Sequence, residues 1–188
     1  MNFLSLAEKT RSYRRFQEEK QIPSELLMGF VRDAGLAPCA SNLQRLRFSI
    51  ITDKIEREKL FSGLGWAGFI KDWNGPGPGE RPSAYIVIHA PEEEKFFTGI
   101  DVGIAASYIV LSASAERIGS CMLLNYDKNY VDEIISVSGY ISKLVIALGY
   151  PRETVILEKN SDDFHYWHDT DGNHHVPKLA PEKLLLKG

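Results

Sequence analysis

Three stretches of the sequence carry side chains able to do chemistry. The first, TRSYRRF at 10–16, sets Arg11, Arg14 and Arg15 around the hydroxyl of Ser12. On a helix, residues 11 and 14 share a face, and two guanidinium forks beside a hydroxyl match the oxygens of a phosphate. A solvated basic turn has the same composition, and spacing alone favours that simpler reading. The second stretch, PCASNLQ at 38–44, is small and polar. Such residues let backbone groups approach a planar ligand, and the amides of Asn42 and Gln44 can match a heteroaromatic edge. An ordinary loop between a helix and a strand reads the same way. The third, FHYWHDTDGNHHVPK at 164–178, holds His165, His168, His174 and His175, with Asp169 and Asp171 among them and Asp163 just before. Imidazole and carboxylate suit zinc or iron. However, residues 169–173 are turn chemistry, and adjacent histidines on an extended chain point to opposite sides. The expectation is a β-turn with exposed histidines and no metal site.

Other templates fail. GPGPGERP at 75–82 lacks the Gly-Lys-Ser/Thr ending of a P-loop, and no dinucleotide fingerprint is present. SVSGY at 136–140 has no glycine ahead of its serine, so it is not a nucleophile elbow. Cys39 and Cys121 are too few for a disulfide framework or a four-cysteine metal site, and they lack CxxC spacing. With 22 Lys+Arg against 25 Asp+Glu, the chain has no dominant basic charge for nucleic acid. No stretch approaches the ~20 apolar residues of a membrane span. The N-terminus places its charges after its apolar residues, the reverse of a secretory signal. A reducing cytoplasm is the expected compartment.

The 188 residues suffice for one sizeable domain, taken as 1–188. A short helix is expected at 5–9. A longer one opens at Pro23 and Ser24, with Leu26, Leu27, Phe30, Val31 and Ala34 at helical spacing and Gly35 near its end. Residues 47–52 read as a strand, and Asp53 with Glu56 makes a capping box for the next helix. Glycine and aromatics crowd 62–73, with Trp66, Phe69 and Trp73. The continuous apolar run at 84–90 predicts a strand buried on both faces. Residues 101–117 form the strongest helix, small nearly all round, which suits the centre of a fold or of a dimer. Strands near 120–124 and 144–151 flank a helix near 131–137. Beyond Pro151, residues 151–188 look extended and polar. The fold class is α+β.

Taken together, these segments resemble the FMN-dependent nitroreductase family, in its short bacterial branch. The match rests on RSYRRF at 11–16, APCASNLQRLRF at 37–48, DVGIAASYIVLSASAERIGSC at 101–121 and ALGYP at 147–151, in that order, with YWHDTDGNHHVPK at 166–178 like the branch's closing segment. The chain departs from the family pattern at Thr10, Cys39, Arg45-Leu46 and Leu179. The resemblance implies a three-layer sandwich, with a central mostly antiparallel sheet flanked by helices. It also implies an intertwined homodimer with an FMN in each of two interface sites and the 151–188 segment wrapping the partner. Arg11, Ser12 and Arg14 would hold the FMN phosphate and ribityl chain, with Lys178 reaching the phosphate from the tail. Pro38, Cys39, Ala40, Ser41 and Asn42 would line the isoalloxazine from the partner subunit, and Leu124 and Asn125 would pass near its reactive nitrogen.

The implied activity is an oxidoreductase in which NAD(P)H and then a planar acceptor, such as a nitroaromatic or quinone, use one site in a ping-pong cycle. The chemistry is carried by the flavin, so no catalytic acid–base pair is expected. Trp66, Phe69 and Trp73 read either as an aromatic lid over that site or as core. Two rivals are a specialised flavin enzyme, a reductive dehalogenase or flavin-cleaving protein, and a non-enzymatic flavin or metal-binding module using His165, His168, His174 and His175.

Overall fold

A computed structural model describes residues 2–70, 73–93, 95–159 and 161–187. Helix α1 (Phe3–Lys9) is capped by Asn2, whose side chain accepts from Ser5 N at 2.9 Å. Helix α2 (Ser24–Gly35) buries Leu27, Phe30 and Ala34, the helical stripe its sequence predicts. A 3-10 turn at Ala40–Asn42 leads into strand β1 (Arg47–Ile51). Asp53 caps helix α3 (Lys54–Ser62), accepting from Ile55 N and Glu56 N at 2.9 and 3.0 Å. Strand β2 (Ala84–Pro91), helix α4 (Thr98–Ala115), strand β3 (Gly119–Leu123), helix α5 (Lys128–Ile135) and strand β4 (Tyr140–Gly149) complete the main layers.

The main sheet runs β1-β2-β4-β3, antiparallel throughout. Its central strands, β2 and β4, have few polar residues to face water, so both of their faces must be covered. Helices α2 and α4 cover one face, where Phe30, Ala106 and Ile109 pack with Ile86, Ile88 and Ile146. On the other, Leu60 of α3, Val131 of α5, Phe16 and Trp66 close over Tyr85, Val87 and Val145. The result is the three-layer α+β sandwich expected. Helix α4 has the length and mean hydropathy, 1.3, of a membrane span, an exception to the expectation drawn from apolar run length. Its buried face nonetheless packs on the sheet and on α2 through Ala105, Ala106 and Ala113. Its opposite face leaves Ile100, Gly103, Ser107 and Tyr108 exposed.

Past Pro151 the chain is not simply extended. Strand β5 (Val155–Lys159) pairs in parallel with β7 (His174–Lys178), and β6 (Trp167–His168) pairs antiparallel with β7. A last turn of helix, α6 (Pro181–Leu184), follows. This small sheet rests on its own chain near α1, where Lys159 Nζ donates to Glu8 Oε1 at 2.5 Å.

Two glycines let the segment after α1 lie against the sheet's end. A Cβ on Gly149 would fall 2.8 Å from Phe16 Cβ, and one on Gly119 would fall 3.0 Å from Tyr13 Cβ. Phe16 is fully buried and cannot yield. Gly149→Ala is therefore expected to destabilise by about 1–3 kcal/mol through overpacking. Thermal denaturation should show the loss, and an unchanged melting temperature would contradict the close approach.

Candidate functional site

The segment 12–17 is an arm laid along the ends of β3 and β4. Ser12 bridges Ser120, and Tyr13 N donates to Ser120 O at 2.9 Å. Further on, Gln17 N donates to Tyr150 O at 2.8 Å. Between them, Arg14 N and Arg15 N both donate to Glu153 Oε1, the latter at 3.1 Å. Burial pushes the Glu153 carboxyl above its ordinary value, against the pull of those two amides. Phe16 N also donates to Glu80 O and Arg15 O accepts from Arg152 N, both at 2.9 Å, so the arm's backbone is fixed along its length, which determines where its side chains can go.

Arg14 is only 9% exposed. Its Nη1 lies 2.8 Å from His174 Nε2 and 3.4 Å from Ser12 O, and its guanidinium carbon sits 4.8 Å from the Tyr166 ring centroid. Arg11 Nη2 donates to Ala7 O at 2.6 Å, and burial pulls its pKa below the ordinary value. The Nε atoms of both arginines are buried with no protein partner. Arg15 Nε is likewise buried without a hydrogen bond but lies 3.6 Å from Glu80 Oε2, so Arg11 and Arg14 keep the cationic donors that suit an anion. Ser12 is exposed beside them. Lys178 lies exposed at the end of β7, four residues and roughly 13 Å along the strand from His174.

The loop at 38–44 is held elsewhere. Asp101, 5% exposed in the first turn of α4, accepts from Ala40 N at 2.9 Å. That position also suits a carboxylate to the positive end of the helix. Ser41, Asn42 and Gln44 all have left-handed backbones, with φ of 49°, 53° and 48°. Such conformations in non-glycine residues are strained and gather at ligand sites. The amides expected to read a ligand edge are bonded to each other, Gln44 Nε2 to Asn42 Oδ1 at 3.2 Å. Pro38, Cys39, Phe48 and Ala105 line a cavity of about 140 Å³ beneath the loop.

Leu124, just past β3, is 76% exposed. Asn125 O accepts from Gly65 N at 2.8 Å, so the 62–66 segment crosses directly over it. The three aromatics of the next segment part company. Trp66 is buried in the core, whereas Phe69 is 57% exposed and packs against His165 and Tyr166 at 4.9 and 5.1 Å. Trp73 rests partly on the core and meets His168 edge-on at 5.9 Å.

The tail histidines are not uniformly exposed as expected. His165 is exposed, but His174 is fully buried, because β7 turns it inward onto Arg14. Burial, then the Arg14 charge, lowers its pKa to about 3, so the imidazole is neutral. Its neighbour His175 points the other way, as strand geometry demands. There it lies 2.7 Å from Glu158 Oε1 and 3.2 Å from Asp169 Oδ2, and those carboxylates raise its pKa. Asp169 is held down to about 2 by Asn173 and His175, as it ties the expected turn together.

The arm and the loop stand at opposite ends of α4. Ala40 is bonded at Asp101, while Tyr13 is bonded at Ser120, just past the helix's far end. The fourteen residue-to-residue steps from Asp101 to Ala115 span roughly 21 Å. One chain therefore does not bring the two halves of the expected site together. Asp101, Glu153, Tyr166 and His174, which fix those halves, were not singled out for these roles by sequence. A carboxylate opening a small-residue helix was the one available signal, at Asp101.

Residues 7–150 match the Nitroreductase family. A Streptococcus pyogenes protein named as an NAD(P)H nitroreductase is 22% identical, over 81% of this chain and 92% of its own. Among solved structures, a nitroreductase family protein from Streptococcus pneumoniae TIGR4 aligns over 100% of both chains, with a TM-score of 0.74 at 16% identity. An FMN-dependent nitroreductase from Clostridium difficile R20291 is 27% identical, with a TM-score of 0.66 over 80% of this chain and 88% of that one.

Two measurements check the geometry of these segments. Asp101→Ala removes a charge-assisted acceptor and a helix-end charge, and is expected to destabilise by roughly 1.5–3 kcal/mol in chemical denaturation. A loss of a few tenths would contradict the anchor. For the tail, His175 has a raised folded pKa, so its contribution is complete below pH 6.5 and fades as pH rises through the folded value. Asp169, at about 2 against 3.8, contributes above pH 3.8 and fades as pH falls. An imidazole NMR titration should place the His175 midpoint above 6.5, falling in Glu158→Gln, with His174 silent between about pH 5 and 8. A His174 midpoint near 6.5 would contradict its buried, neutral state.

Proposed function

The chain belongs to the nitroreductase family, and from that premise we propose that it is an FMN-dependent oxidoreductase. It takes electrons from NAD(P)H and passes them to a planar acceptor, a nitroaromatic or quinone, at a site shared between two copies of the chain. The observation that carries this reading is the pair of buried, unpartnered Nε donors on Arg11 and Arg14. An isolated basic turn would keep those groups in water, whereas a phosphate needs them sheltered and unpaired. When bound, FMN supplies the hydride and electron chemistry, which is why the chain needs no acid–base pair of its own.

The residues then divide the work. Arg11, Ser12 and Arg14 bind the phosphate end, with Lys178 adding charge from the tail. Pro38, Cys39, Ala40, Ser41 and Asn42 bring backbone groups to the ring system from the partner subunit. The left-handed turns at Ser41 and Asn42 keep side chains from blocking that approach. Leu124 and Asn125, just past β3, border the ring. Phe69 and Trp73 flank the opening and can stack on a planar acceptor. With one face for donor and acceptor, the two substrates must alternate, which gives ping-pong kinetics.

The apolar surface that the single chain leaves uncovered supports the dimeric reading. Phe3 is 72% exposed and Leu4 67% on α1, next to the exposed face of α4. An apolar surface of this kind, made of small and aromatic residues, suits burial against a second copy.

Purified protein is expected to bind added FMN, to bleach in the flavin bands on NAD(P)H addition under nitrogen, and to recover colour with a quinone. Initial rates at several quinone concentrations should give parallel double-reciprocal lines. Arg11→Ala and Arg14→Ala should each weaken FMN binding roughly tenfold or more, the effect of one charge-assisted hydrogen bond. A protein that neither binds FMN nor oxidises NAD(P)H with it would overturn the proposal.

A further inference from the structure

We propose that His174 is a positioning residue for the anion-binding arginine. Its imidazole holds one edge of the Arg14 guanidinium while Tyr166 supports the face, so an arriving phosphate meets the fork already aimed. This rests on the reading that the Arg11–Arg14 arm takes the FMN phosphate.

The donor inventory settles the roles in the contact. A guanidinium has only donors, so at 2.8 Å His174 Nε2 must accept from Arg14 Nη1. The imidazole hydrogen then sits on Nδ1, itself buried without a protein partner, and the ring is neutral. Burial and the nearby charges of Arg14, His168, His175 and Arg15 all favour that neutral form. Neutrality matters to the function. A carboxylate in the same place would orient Arg14 equally well but cancel its charge and compete with the phosphate. A neutral acceptor orients the guanidinium without adding a second negative charge to that of Glu153 nearby.

The rest of the surroundings serves the same end. Arg14 N is tied to Glu153, Nη1 also reaches Ser12 O at 3.4 Å, and the Tyr166 ring lies under the guanidinium. Nε stays buried and unpaired. His174 itself is fixed by β7, where its backbone N donates to Thr154 O at 2.8 Å. A long side chain held this way loses less freedom on binding, which is how preorganisation strengthens affinity. The small C-terminal sheet thus acts on the cofactor site through one contact that joins residues 160 positions apart.

The test compares FMN with riboflavin, which lacks the phosphate, by flavin-fluorescence titration of the full-length protein. His174→Phe keeps a ring and removes the acceptor. It should weaken FMN binding about tenfold and leave riboflavin unchanged. His174→Gln, whose amide oxygen can accept near the Nε2 position, should restore most of the difference. In an Arg14→Ala background, His174→Phe should add nothing, because its effect passes through Arg14. Tyr166→Leu, outside the buried strand, should also weaken FMN selectively and serves if His174→Phe does not fold. Equal losses for both flavins, or a His174→Phe loss that persists without Arg14, would overturn the positioning role. If Arg14→Ala itself leaves the FMN preference over riboflavin intact, the phosphate site is misplaced and the underlying reading fails instead.

Discussion

A helix too long to be bypassed governs how this protein can build a site. Helix α4 holds the 38–44 loop at its first turn through Asp101, and the arginine arm meets the sheet just beyond its last. With roughly 21 Å of helix between those ends, the two segments of one chain are anchored apart. The proposed second copy, packed on the exposed side of α4 and α1, would bring an arm and a loop together. The small residues that make α4 unusual then have a purpose on both sides. Inside, they admit α2 and the sheet; outside, they would admit the partner.

The electrostatics around the arginine arm combine a neutral acceptor with carboxylates that are engaged elsewhere or only partly offset its charge. Glu153 spends its carboxylate on the backbone amides of Arg14 and Arg15. His174 accepts from Arg14 as a neutral ring. The carboxylates of Glu158 and Asp169 are paired with His175 on the opposite side of β7. The alternation of a single strand thus separates a neutral histidine facing the arginines from one facing acids that favour its charged form. Adjacent residues of one type have their pKa values shifted in opposite directions because the strand turns them to different faces.

Much of the framework was legible because it depends on local patterns. The Asp53 cap, the Leu27–Phe30–Ala34 stripe and the doubly buried run of β2 each follow from residues close in sequence. The arginine arm and the 38–44 loop were legible as segments, and their order carried the family resemblance. The C-terminal sheet was not. Its parallel pair joins 155–159 to 174–178, and β6 is two residues long, too short for an alternation to register. The burial of His174 was hidden for the same reason, since a histidine beside a turn reads as exposed until β7 is seen against Arg14. Asp101 and Glu153 act by accepting from distant backbone amides, a role no spacing rule encodes. Trp66 and Phe69, three residues apart in one aromatic-rich stretch, separate into core and surface only through tertiary contacts.

Subunit complementation tests the shared site most directly. Arg14→Ala disables the arm, and Ser41→Val disables the loop by placing a β-branched residue at a left-handed position. Mixed by unfolding and refolding together, the two inactive proteins should regain roughly a quarter of the wild-type NAD(P)H oxidation, since half the dimers carry one intact site each. No recovery in a mixture shown to contain heterodimers would mean that arm and loop serve the same site from one chain, contrary to the geometry argued here.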